Sequence, residues 1–142
     1  MISFKILDNR RKVAKKVKEL EQKLDKFKEV FLQKCAVDIV LNSPVDTGTY
    51  MDAHTISNTR YAPFTSSQGK PRKQDWQTYA DAAIERMFAQ IANLPGDISS
   101  ARVSNGAGHA NIVEYSLGYA PYTTTKNRLD VLAEEARIEV GL

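Results

Sequence analysis

Cysteine is almost absent from this chain. With Cys35 alone among its 142 residues, no internal disulfide and no Cys-based zinc site can form. Histidine is nearly as scarce. His54 and His109 stand far apart in sequence, and neither has a second ligand at the spacing that a helix or a turn would need to hold a metal. Proline and glycine, at 5 and 7 residues, are too few for a collagen-like or low-complexity chain, and a hydrophobic content of 42% is enough for a core. No apolar run approaches the roughly 18 residues of a membrane span. The opening residues Met1 to Lys5 also lack the apolar centre of a signal peptide, so the expectation is a chain that stays in the cytosol where it is made, without a membrane partner.

The motifs of common catalysts are missing too. There is no G-x-S-x-G, Cys35 falls in a helical stretch rather than on an exposed turn, and NGAGHAN (residues 105–111) has glycines without the Lys-Ser/Thr that holds a nucleotide. Glu114, flanked by Ile112, Val113 and Tyr115, is the carboxylate with the best prospect of partial burial, which would suit it to acid or base work. Without a partner in sequence, a hydrogen-bonded structural role is the stronger expectation. An enzyme is the least supported class, and no catalytic residue, metal or cofactor is expected.

What the chain does have is a long charged segment at its start. More than half of its 20 Lys and Arg residues lie between Lys5 and Lys34, although the net charge is only +3. From about residue 8 to residue 41, Val13, Val17, Leu20, Leu24, Phe27 and Phe31 recur in alternating steps of four and three, and neither Gly nor Pro interrupts the run. This predicts one basic amphipathic helix over residues 1–42, about 45 Å long for thirty residues and longer than a core of this size needs. Its first turns either project toward a partner or lie along the chain's own sheet. Arg10, Arg11, Lys12, Lys15 and Lys16 could neutralise phosphates, but no aromatic residue is interleaved before Phe27, so any DNA contact should be non-specific.

Asn42-Ser43-Pro44 must end the helix, because Pro44 disfavours helical backbone at Ser43. Asp46 can accept from the backbone two residues on while Gly48 tolerates a positive φ, so Val45-Asp46-Thr47-Gly48 reads as a tight Asx-type turn. A β-prone segment follows through Asn58, with residues 61–64 as an extension. Residues 65–75 form a polar loop carrying Lys70, Arg72 and Lys73, expected to be mobile alone and to order on a partner. Asp75 caps a second helix over residues 76–93, with Trp76, Tyr79, Ala80, Ala83, Ile84, Met87, Phe88 and Ile91 on its apolar face. A strand over 98–104, a turn at 105–108 and a last helix over 126–140, with Leu129, Leu132, Ala133 and Ala136 inward, complete a single domain in which residues 43–142 supply the sheet and remaining helices.

Two segments together resemble a known family. SPVDTGTY (residues 43–50), directly after a long helix, is similar to the P-V-D-T-G signature of the neck or tail-completion proteins of long-tailed bacteriophages. ANIVEY (residues 110–115), followed by Gly118 and Pro121, resembles that family's second motif, built on Glu114 and Tyr115. His109 stands where the family favours Tyr, and Ser116-Leu117 separates Tyr115 from Gly118. The resemblance spans most of the chain, and its first element is the more specific.

It implies an α+β fold: a small curved antiparallel sheet packed by the long N-terminal helix and a second helix, with a C-terminal helix. It also implies a structural virion protein, made in the bacterial cytoplasm and placed in the neck or upper tail. Such a protein would assemble as a homo-oligomeric ring, with a hexamer as the candidate stoichiometry, between a portal, connector or head-closure protein and a tail-tube or terminator protein. In this reading Pro44, Asp46, Thr47 and Gly48 are structural turn residues, and the basic positions of the first helix and of the 65–75 loop are candidates for partner binding. The alternative is a basic helical DNA-binding or regulatory protein that uses its first helix.

Overall fold

A computed structural model describes residues 6–45, 48–66 and 74–142, with side chains from residue 10 onward. The fold is α+β, as the resemblance implies, but its strands are shorter than expected and its helices more numerous. Helix α1 (Ile6–Leu41) runs without a break to the residue before Asn42, as an uninterrupted run of good helix formers should. The helix ends where Asn42 and Ser43 fold their side chains back onto it: Asn42 Nδ2 donates to the Asp38 carbonyl at 2.8 Å and Ser43 Oγ to the Ile39 carbonyl at 2.7 Å. The second bond occupies a carbonyl that the helix end leaves without an amide partner, while the first shares the Asp38 carbonyl with the Asn42 N–H.

The hinge does not open straight into a strand. Gly48 takes φ +89°, and the chain then closes one helical turn, α2 (Thr49–Asp52), through Asp52 N–H to the Gly48 carbonyl at 3.0 Å. Strand β1 (His54–Ser57) follows and pairs antiparallel with β2 (Arg102–Asn105), with Ile56 opposite Val103. Residues 61–64 are not a strand. The nearest ladder contact is an isolated bridge between Thr65 and Ala107.

Helix α3 (Trp76–Ala92) begins at Asp75, whose carboxylate accepts from Thr78 N–H at 2.8 Å, as the sequence predicts. The expected strand over 98–104 divides in two. Asp97 caps a 3-10 turn at Ile98–Ser100 by accepting from Ser99 N–H, and only the residues beyond Ala101 pair as β2. The second motif lies on a short helix, α4 (Ala110–Tyr115). The last helix is also two: α5 (Pro121–Asn127) and α6 (Leu129–Val140) meet at Arg128. Leu132 and Ala136 face inward, whereas Leu129 stays partly exposed.

The main core forms where α3 crosses the C-terminal half of α1 beside the sheet. It comprises Ala36, Val40, Met51, Ile56, Ala80, Ala83, Met87 and Ile91, with Val45, Trp76 and Phe88 packed around them. Helix α6 lies along another side of the same half, where Lys34 pairs with Glu139 at 3.3 Å. Residues 10–26 of α1 have no such cover and are exposed on every face. The stripe from Val13 to Leu24 is therefore bare, although the same face is buried further along α1 at Cys35 and Asp38. At about 100° per residue it lies roughly opposite the line of Ala36 and Val40.

Candidate functional site

The two motif segments, more than fifty residues apart in sequence, meet in space. Tyr50 of the first and Val113 of the second form a compact cluster with Ala53 and Ala107, flanked by Ala110 and Tyr122. Beneath it lies a buried polar network centred on His54, which is fully buried.

The network fixes the state of the imidazole. Ser43 Oγ spends its proton on the Ile39 carbonyl, so at 2.9 Å from His54 Nε2 it must accept, and Nε2 carries the hydrogen. On the other side, Nδ1 receives Tyr122 Oη at 2.8 Å and Asn105 Nδ2 at 3.1 Å. The amide nitrogen can only donate, and its orientation is set because Asn105 Oδ1 accepts from Ala107 N–H at 2.9 Å while Nδ2 also donates to the Tyr50 carbonyl at 2.8 Å. His54 is thus neutral, with Nδ1 as acceptor. Burial first, and then the Arg86 guanidinium, push its pKa down to about 3. Arg86 itself bonds the carbonyls of Met51 and His54 at 3.1 and 3.3 Å, and burial lowers its own pKa.

One ring therefore ties the end of α1, strand β1, strand β2 and α5 together. Trp76 adds α3 by donating its indole N–H to the Ser43 carbonyl at 2.8 Å. The Ser43–His54 pair has the composition of a nucleophile and base but the opposite polarity, since the imidazole donates to the hydroxyl. A general base would need its lone pair on the serine proton.

A second buried link joins α1 to the C-terminal helices. Asp38, almost wholly buried, accepts from Thr125 Oγ1 at 2.7 Å and from Arg128 Nη1. Both donors turn onto one carboxylate at the place where α5 gives way to α6, which accounts for the break that a helical pattern over 126–140 does not reveal. Cys35, one turn earlier on α1, is buried. Desolvation, reinforced by the Asp38 charge, raises its thiol pKa to about 11.

Of the turn residues named from sequence, Pro44 is half-buried and Gly48 is buried with the positive φ that the motif requires. A Cβ on Gly48 would fall 2.4 Å from Cε1 of Tyr79, so the glycine also makes room for that ring. Asp46 and Thr47 lie outside the described residues, as do Lys70, Arg72 and Lys73 of the polar loop. Glu114 has a structural role: it accepts from the backbone N–H groups of Tyr122 and Thr123 at 3.1 and 2.7 Å and from Thr123 Oγ1 at 2.6 Å, satisfying the first turn of α5. Pro121 occupies the first position of that helix, Gly118 has φ +79°, and Tyr115 points into solvent. A cavity of about 190 Å³ opens beside the cluster between Tyr50, Asn105, Glu114 and Tyr122. Arg10, Arg11, Lys12, Lys15 and Lys16 are exposed on the uncovered half of α1, away from the motif cluster.

Sequence reasoning did not find Ser43, Asn105, Tyr122, Asp38, Thr125 or Arg128 as network members, and it gave His54 no partner. Every one of these links except Ser43 to its own helix joins residues at least eleven positions apart, so no local spacing announces them. Among the described residues no group of three or more His, Cys, Asp or Glu side chains could hold a metal ion, and no helix is long and apolar enough to cross a membrane. No family model matches the chain, and no curated protein or solved structure matches it either.

Proposed function

We propose that this chain is a structural protein of the head–tail junction of a long-tailed bacteriophage, completing or capping the tail and joining it to the portal or connector by ring assembly. The observation that carries this reading is the convergence of the two family-like segments. SPVDTGTY supplies Tyr50 and ANIVEY supplies Ala110 and Val113 to one cluster, and Glu114 of the second segment caps the start of α5 beside it. Conformation supports it too. The hinge chemistry is geometric: Gly48 turns the chain from α1 toward the sheet, and the polar groups beneath are spent on holding elements together. A ring places one surface of each subunit against a different surface of the next, and the uncovered half of α1 offers such a surface.

The test is localisation. Antibody against the chain, applied to purified particles of the parent phage, should label the neck, and particles made without the protein should accumulate as separate heads and tails. Absence from purified particles, or label spread along the tail tube, overturns the reading. A second reading is favoured by one observation, the exposure of Arg10, Arg11, Lys12, Lys15 and Lys16 on one free helix. If that helix grips DNA, affinity must fall with a log–log salt slope of about −0.9 per phosphate neutralised. A flat salt series removes it.

A further inference from the structure

The uncovered half of α1 carries a seam that nothing in the described chain fills. Val13, Val17, Leu20 and Leu24 are 60, 47, 57 and 44% exposed, and Phe27 and Phe31 extend the line half-buried, their rings stacked at 6.0 Å. Four apolar side chains in strict alternating steps on one face are more than scattered surface residues. The steps set Val13, Leu20 and Phe27 at heptad position d and Val17, Leu24 and Phe31 at position a; Val17 at a followed by Leu20 at d is the combination that favours two parallel strands, whereas Val13 at d and Leu24 at a do not follow it.

Charge chooses among occupants. Lys16 and Lys23 fall at g, and Ala14, Glu21 and Lys28 at e. In a parallel pair each g faces the next e of the other helix, which sets Lys16 against Glu21 of a second copy twice over, once on each side of the seam. The next such pair, Lys23 and Lys28, is like-charged, but both ammonium groups already have acceptors in their own chain: Lys23 Nζ donates to the Gly141 carbonyl at 3.3 Å, and Lys28 pairs with Asp97 at 3.5 Å. An antiparallel pair would set g against g and so gather lysines. Between residues 10 and 26 the body of the protein leaves the seam open; beyond Phe31 the same line passes through buried Cys35 and Asp38, where Thr125 and Arg128 cover it, so the two helices part there. Most of the basic side chains remain outside the seam.

We propose that residues 13–31 of α1 form a parallel two-stranded coiled coil with the same segment of a second copy of this chain. This stands apart from the neck reading, since it follows from the seam and its flanking charges alone. The seam is under three heptads and about 27 Å long, so the dimer should be weak and dependent on concentration.

Sedimentation of the full chain over a concentration series should show a monomer–dimer equilibrium. Leu20→Asp should abolish it without lowering the melting temperature, because that side chain contributes nothing to the core. Lys16→Glu and Glu21→Lys should each weaken the dimer about tenfold, as two attractive pairs become repulsive, and the double exchange should restore it. Oxidised Leu20→Cys should cross-link to itself, while buried Cys35 does not. A monomer at every concentration overturns the proposal. So does single charge reversal without rescue, or a stripe protected only when anionic vesicles are added.

Discussion

Lowering the pH should destabilise this protein through one residue, His54, and the size of the effect can be worked out. In the unfolded chain its imidazole titrates near the ordinary 6.5, and in the fold at about 3. The folded pKa is depressed, so below 6.5 the unfolded state binds a proton that the folded state refuses. The stabilisation is complete above 6.5 and is lost as pH falls toward 3. Each pH unit below 6.5 costs about 1.4 kcal/mol, so moving from pH 7.5 to 5 should remove about 2 kcal/mol. The physical cause is the closed network. A proton on Nδ1 would face the Asn105 amide, which can only donate, and would sit in the field of Arg86. The assay is urea denaturation at pH 7.5, 6, 5.5 and 5, on wild type and on His54→Gln. Glutamine keeps a donor near Ser43 but cannot titrate, and it leaves the Tyr122 hydroxyl without its acceptor, costing about 1–3 kcal/mol at neutral pH. Carboxylates contribute equally to both proteins, so the difference in slope isolates the histidine. Equal slopes, or an imidazole that titrates between pH 5 and 7 by NMR, would refute the argument.

Gly48→Val should lower stability by about 2–4 kcal/mol, since it adds a positive-φ penalty to the displacement of the Tyr79 ring, whereas Thr49→Val should cost about 1 kcal/mol; similar melts for the two would remove the hinge argument. Arg128→Ala should cost about 2–4 kcal/mol by leaving the buried Asp38 charge with Thr125 alone, and adding Asp38→Asn should recover part of the loss, measurable as a double-mutant cycle in urea. Cys35, with about a hundred times less thiolate than an ordinary thiol, should react with a soluble disulfide reagent at pH 8 only as fast as the protein unfolds. Prompt stoichiometric labelling would contradict its burial.

The elements legible in the sequence are those set by interactions within about one helical turn. The unbroken run of helix formers gives α1 its length, Pro44 fixes its end, Asp75 starts α3 by capping it, and Gly48 marks the one place at the hinge where a side chain would be strained. None of these needs a distant partner. The sequence also shows the heptad stripe of α1, because periodicity is local, but it cannot say which side of the helix the rest of the chain covers. Residues 13–24 look like core by pattern and are left bare, while further along the same helix the stripe's own line is buried at Cys35 and Asp38 and the opposite line at Ala36 and Val40. Likewise the α5–α6 break follows from Thr125 and Arg128 both reaching Asp38, nearly ninety residues away, and the neutrality of His54 from acceptors and donors on α1, β2 and α5. Burial and the pairing of polar groups are properties of the assembled chain: removing water from a side chain takes several elements at once, and a buried hydrogen bond is decided only when both partners have lost water together.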